Sequence, residues 1–533
     1  MLLMGWFLGL QVQWAVAVAA SSIRVVETTS RSVEVEIRYE RPYLRKEFGH
    51  WKFIDSEWPL RGDLGGPLLP RKDFFLSVPD GRDVTISTVS IARSARIPLD
   101  APLLYRAFKL THAPVNQEVP IDPRLYKRTY GTQVSTVEEL SYAGRDRLAR
   151  IRLEPARYDG HGIDFLERAR IRFDFVPTQH WEAAPVNGSE GEIASILAIN
   201  AKKRAPTEVH KCDLVIAHQG YQNNQELQRL LTFKKMMGRE VREYYVPKQT
   251  TSQITTIIKK EYQSASPPTH TLLVGSIDQI PSFPDDEANW SDFHYSTLDS
   301  GDIPDISVGR IPAQNATELE NFVNKAITRQ LESTNVTEVL LTAGGDTSLG
   351  CPQNVSVVGE KIKPAGNDIH LIKKYKTEVS TKDVIDAYNA NPNLIIYDGH
   401  GDEDGMQEIP LTISTLNQLR NTSFPIILDI ACLNANWNSS GAARRNFAES
   451  ILFLKGAGAV GILASGGSGY GHDFFQYLGE YMATGRKNLA IDSTQSEIGR
   501  VVLLGKIRGD SEDRTFWNYY GDPATSVWEP TIH

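Results

Sequence analysis

The chain has 533 residues, with 57 Lys and Arg against 65 Asp and Glu and a formal net charge of −8. That length calls for two or three domains, and the composition carries no disorder signature. The mild acidity excludes nucleic acid as the main partner, because a phosphate-binding surface needs an excess of Lys and Arg, and no block of like charge offers a polybasic membrane anchor. The opening segment, MLLMGWFLGLQVQWAVAVAASS, has no charge before Arg24 and ends in the small-residue pattern Ala17-Val18-Ala19. It reads as a signal peptide over residues 1–20, although the usual positive start is missing. Gln11 and Gln13 break the apolar run, which is too short to span a bilayer. No later segment is apolar enough to do so. The expectation is a secreted protein, extracellular or at the cell surface, with no stable membrane insertion.

Residues 23–204 read as a β-rich N-terminal domain. RSVEVEIRY (31–39), DVTISTVSIA (83–92) and ARIRFDFVP (169–177) alternate apolar and polar residues, the pattern of half-buried antiparallel strands. Gly and Pro punctuate them, as in GDLGGPLLP (62–70). The polar stretch QHWEAAPVNGSEGE (179–192) and the basic run AKKRAP (201–206) mark the boundary.

From Cys212 onward short apolar runs alternate with amphipathic helical segments. CDLVIAH (212–218), LQRLLTFKKMMG (227–238), HTLLVGS (270–276) and FVNKAITRQ (322–330) belong to a first subdomain over 205–335. EVLLTAGGD (338–346), NLIIYDGHG (393–401), FPIILDIAC (424–432) and GAVGILASGG (458–467) belong to a second, over 336–533. Continuous apolar runs that end in small or polar residues fit parallel strands buried on both faces, with helices as crossovers. In open α/β sheets the ligand lies outside the carboxyl ends of the strands. Asp346, His400, Cys432 and Ser465 all fall just past such ends, so the pattern places them along one crevice.

Cys432 and His400 are the chemical pair. A thiol becomes a strong nucleophile when a neighbouring imidazole takes its proton or stabilises the thiolate. Gly399 and Gly401 flank the histidine and let the backbone approach a substrate, and the N–H groups of Gly401 and Cys432 can serve as an oxyanion hole. On residues alone, a buried structural cysteine and an unrelated turn histidine stay open. No serine rival stands beside them: a nucleophile elbow needs G-x-S-x-G, and neither Ser465 nor Ser468 has both glycines. Cys212 and Cys351 are too few for a disulfide framework, and a single bridge between them is left open.

YDGHG (397–401), LDIACLNANW (428–437) and FAESILFLKGAGAVGILAS (447–465), with SDFHYSTLDSGDIPDISVGRIPA (291–313) upstream and NYYGDPATSVW (518–528) at the end, resemble the gingipain family of cysteine peptidases, in the caspase-like group. The β-rich region with GGPLLP resembles the family's propeptide. The resemblance implies a caspase-like α/β catalytic domain of two subdomains behind a β-rich propeptide. It further implies a zymogen cleaving protein or peptide substrates, with its own propeptide as a partner. By the same resemblance Cys432 is the nucleophile, His400 the general base and acid, and Asp346 the residue orienting the histidine.

In the family's lysine-specific members an aspartate in an aromatic-flanked setting like that of Asp473 lies in the specificity pocket. Asp398 falls where the family lines the same pocket, usually with a neutral residue. Carboxylates there would favour Lys or Arg before the cut bond. The arginine-specific members carry an acid past the Asp346 position, where this chain reads CPQNVSVV (351–358) with none, which leans the expectation to Lys. The alternative for Asp473 is a helix cap.

No cofactor is required for such chemistry. The acid-rich stretch 285–305 suits a structural Ca²⁺, and the resemblance points to Asp302 and Asp305 as ligands; a solvated acidic loop is the alternative. The run Lys202-Lys203-Arg204 would be a maturation site for an enzyme that cuts after basic residues. A peptide ligase using the same dyad, and a non-catalytic binding protein keeping the fold, are the other readings.

Overall fold

The computed structural model describes residues 22–528 apart from 48, 55, 64, 106–119, 179–191, 204–209, 285–289, 300, 332–336, 346–350, 367–368, 376–379, 410, 438–444, 468–471, 489–491 and 510. The signal-peptide expectation and Arg204 of the maturation run lie outside these residues.

One ten-stranded sheet organises the second part of the chain. Its strands are β1 (Cys212–His218), β2 (Glu240–Val246), β3 (His270–Val274), β4 (Ser307–Ile311), β5 (Thr337–Ala343), β6 (Ile369–Tyr375), β7 (Leu394–Asp398), β8 (Ile426–Ile430), β9 (Gly461–Ser465) and β10 (Trp517–Gly521). They lie in the order β2-β1-β3-β4-β10-β9-β8-β7-β5-β6. Every neighbouring pair is parallel except β9 with β10. The sheet is therefore two parallel halves of opposite direction, joined where the last strand inserts. β10 touches β4 through the single pair Arg310 and Tyr520 but runs the whole length of β9.

The apolar runs form strands because both faces are covered by helices. β5, β7, β8 and β9 are almost wholly buried. The flanking helices include α1 (Gln225–Met236), α2 (Thr251–Tyr262), α3 (Ala316–Leu331), α4 (Cys351–Ile362), α5 (Thr381–Asn389), α6 (Phe447–Phe453), α7 (His472–Asn488), α8 (Ile498–Arg508) and α9 (Ser511–Phe516). Their starts are set by side chains that satisfy otherwise orphaned N–H groups. Asn224 accepts from Glu226 and Leu227 ahead of α1, and reciprocal boxes of Thr250 with Gln253 and Asn446 with Glu449 open α2 and α6.

The N-terminal domain is β-rich. Its longest strand, Gly162–Pro177, lies between the strands Ser32–Arg38 and Arg82–Arg93 in an antiparallel sheet. A second sheet pairs Ser135–Ala143, Asp146–Leu153 and Lys72–Ser77. Val33, Ile171 and Phe173 belong to a core of its own, whereas Phe75, Leu148 and Ile193 pack into the core of the large sheet's region. Polar links reinforce that seam. The buried Arg514 of α9 reaches both carboxylate oxygens of Glu139, at 2.9 and 2.8 Å, and Arg150 donates to Gly509 O at 2.6 Å.

The architecture is thus α/β, a mainly parallel sheet with flanking helices behind a β-rich region, as the sequence leads one to expect. Among the described residues, no helix is long and apolar enough to cross a membrane.

Candidate active site

Register alone brings the two chemical residues together. β7 and β8 are adjacent and parallel, with Asp398 opposite Ile430. His400 and Cys432 each follow that pair by two residues, so they leave the sheet at the same level. Gly399 N–H donates to Ile430 O at 3.3 Å across the gap. A Cβ on Gly401 would stand 2.7 Å from Ala431 Cβ and 2.9 Å from Cys432 O. Only a residue without a side chain lets the histidine loop seat on the cysteine turn this closely. Both His400 and Cys432 are half-buried, enough to be held and still be reached.

The histidine loop is pinned at both of its main-chain polar groups. The Tyr397 hydroxyl donates to His400 O at 2.8 Å, with Gln407 N–H on the same oxygen at 3.0 Å. His400 N–H donates to Glu408 Oε2 at 3.2 Å. Burial drives the Tyr397 phenol well above its ordinary range, so it stays a donor. Glu408 is carried by a small antiparallel meander of Gly401–Asp402, Gly405–Met406 and Leu411–Thr412.

The cysteine turn is held in a strained form. Leu433, directly after Cys432, has φ of 61°, a left-handed conformation rare for a side chain of its size. Neighbouring bonds impose it: Leu433 N–H to Gly467 O at 3.1 Å, Ala435 N–H to Ser465 O at 2.9 Å and Asn436 N–H to Leu433 O at 2.9 Å. Beneath the turn the Asn434 amide donates to Asp429 Oδ2 at 2.6 Å. Asp429 is fully buried in β8, and burial, with Asp398 nearby, pushes its carboxyl up to about 7.

Ser465 does not line the crevice as expected. It is fully buried, and its hydroxyl donates to Gly467 O at 2.8 Å and accepts from Gly467 N–H at 3.1 Å, which makes it a turn lock. Asp346 lies outside the described residues, which stop at Gly345 on that loop. Asp398 is buried at the end of β7 and accepts from the Asn354 amide of α4 at 2.9 Å. Asp473 is the second residue of α7, and its side chain is outside the described part of the structure.

Asp302 is exposed, whereas Asp305 is buried and both its oxygens accept main-chain N–H groups, from Leu298 at 2.8 Å and from Gly144 of the N-terminal domain at 3.2 Å. Burial and the neighbouring Asp299 push Asp305 up to about 8. Asp285, Asp286 and Glu287 lie outside the described residues. Cys212 and Cys351 are buried thiols rather than a disulfide. Lys202 and Lys203 are exposed, and Lys203 Nζ donates to Ser195 O at 3.0 Å.

Three residues with a part in this site escape a reading of the sequence alone. Asp429 has a signal, an acid in the middle of the apolar run FPIILDIAC. Asn434 and Glu408 have none, because they sit in loops without periodicity.

A family model described as Peptidase family C25 matches residues 209–528, more than half of the chain. Gingipain R2 and gingipain R1 of Porphyromonas gingivalis are each 25% identical to the chain over 232 residues, which are 40% of this chain. The aligned part is 31% of the first and 23% of the second, so the chain spans about a third or less of these curated relatives. Among solved structures, the Arg-specific cysteine proteinase gingipain R shares the fold at a TM-score of 0.52 and 22% identity, over 61% of this chain and 80% of that one. The complex of the pro- and mature domains of Porphyromonas gingivalis RgpB matches at 0.51 and 22% identity, over 59% of this chain and 80% of that one. Matched by that model over residues 209–528, the chain belongs to peptidase family C25.

Proposed function

We propose that the chain is a cysteine endopeptidase in which Cys432 and His400 cut peptide bonds. The contact of Gly401 with the Cys432 turn carries this reading, because it joins the two loops that must converge. The Cys432 thiolate attacks the peptide carbonyl carbon, and the new oxyanion sits against the N–H groups of Gly401 and Cys432. The imidazolium of His400 gives its proton to the leaving amine. The imidazole then takes a proton from water, which attacks the thioester and frees the acid.

The finer reading is cleavage after Lys or Arg, supported by the place of Asp473 in the sequence, in the first turn of the helix that follows β9. The protein would be secreted as a zymogen, with the N-terminal domain as its propeptide, removed at Lys202-Lys203-Arg204. A structural Ca²⁺ in the acidic loop belongs to the same proposal. Burial and the charge of Asp299 push the Asp305 carboxyl up, and a cation would offset that unfavourable charge. Asp302 would need to turn inward to join them.

The test is turnover of a P1-varied fluorogenic peptide library under reducing conditions, with mature protein and its Cys432→Ala variant. Turnover confined to Lys or Arg peptides and lost in the variant supports the whole reading. Turnover with another preference keeps the mechanism and discards the pocket. No turnover after removal of the N-terminal domain and addition of Ca²⁺ overturns the enzyme.

A further inference from the structure

We propose that Glu408 is a positioning residue for His400, fixing the loop that carries the imidazole. This rests on the peptidase reading of Cys432 and His400. The carboxylate is not a surface acid that happens to lie near. Its Oε2 accepts the His400 main-chain N–H at 3.2 Å, and the His400 carbonyl, in the next peptide unit, accepts from Tyr397 and Gln407. It also occupies a cradle cut for it. A side chain on Gly344, at the end of β5, would collide with Glu408 Oε2, and a Cβ on Gly399 would lie 3.0 Å from the same oxygen. Two glycines from different strand ends therefore leave room for one half-buried carboxylate between β5, β7 and the histidine loop.

Among the described residues, the acidic groups around that place come from three elements. β7 contributes Asp398 beside the neutral Tyr397 phenol, β8 contributes Asp429 below the Cys432 turn, and the meander contributes Asp402, whose Oδ2 takes the Gln407 amide at 2.5 Å. Asp398 and Asp402 are already engaged by Asn354 and Gln407. Glu408 bonds to the histidine's own backbone. An acceptor there keeps the imidazole at the level of the Cys432 turn, and displacing a reacting group by about 1 Å costs roughly 100-fold in rate.

The test separates positioning from a general loss of fold. Glu408→Gln keeps an oxygen that can accept the His400 N–H; Glu408→Ala drops it. The readout is kcat and KM on the peptide that the wild type turns over, together with the rate of Cys432 alkylation by iodoacetamide in the full chain, followed at that residue by mass spectrometry. Glu408→Ala is expected to lower kcat about tenfold or more and to slow alkylation, with KM little changed, and Glu408→Gln to restore most of both. A Glu408→Ala variant that matches the wild type overturns the proposal, and so does a Glu408→Gln variant no better than Glu408→Ala. A wild type that turns over no peptide sinks the peptidase reading. The alkylation rates still decide Glu408 in that case.

Discussion

The Asn434 amide donates to Asp429 at 2.6 Å directly beneath the turn that presents Cys432. One residue lies in the buried middle of β8 and the other in the turn that follows, so the bond anchors the cysteine loop to the sheet.

This anchor predicts a pH dependence of stability. The Asp429 carboxyl is up to about 7 in the folded chain, against an ordinary value of 3.8. The folded form thus holds a proton that the unfolded form has released, and stability from this group is full below about 4 and falls as pH rises to about 7. A tenfold difference in proton affinity between the two forms is worth about 1.4 kcal/mol, so the loss is on the order of a few kcal/mol. Asp429→Asn keeps an acceptor for Asn434 and has no charge to form. Thermal unfolding at pH 4.5 and 7.5 should show a smaller drop for the variant than for the wild type.

Gly401→Ala tests the convergence of the two loops. The added methyl would stand 2.7 Å from Ala431 Cβ and 2.9 Å from Cys432 O, so the histidine loop must lift away. Displacing a reacting group by about 1 Å costs roughly 100-fold in rate. kcat/KM should fall by about that factor, with far-UV circular dichroism unchanged.

Leu433→Gly sets backbone against burial. Relief of the left-handed strain is worth about 1 kcal/mol, while the side chain is 3% exposed and its burial contributes about 2–3 kcal/mol. Burial wins, so the variant should melt at a lower temperature despite its easier backbone.

Glu139→Ala probes the seam between the domains. Arg514 is 2% exposed and keeps main-chain acceptors at Lys506 and Ile507 after the carboxylate is gone. The loss should be about 2 kcal/mol, the worth of a charged hydrogen bond, read as faster limited proteolysis of the N-terminal domain.

Calcium should act only where Asp305 is ionised. Because its carboxyl is pushed up to about 8, Ca²⁺ should raise the melting temperature more at pH 9 than at pH 5. Equal changes, or none, would remove the ion from the proposal.

The sequence by itself determined the strands whose ends carry His400 and Cys432. Apolar runs such as NLIIYDGHG and FPIILDIAC are strand-length and end in polar residues, so strand and strand end are both written locally. The expected strand at 212–218 is β1 without a shift. Only the tertiary structure decided the rest. Ser465 has the same local signature as His400, but it closes on Gly467 because the turn after β9 folds back under the cysteine loop. The insertion of β10 between two opposed half-sheets depends on a pairing some 200 residues apart, and no periodicity encodes it. Glu408 becomes a partner of His400 only because Gly344 and Gly399 meet across two strands. Such partners are set by register and close packing between distant segments, and a local pattern carries no record of either.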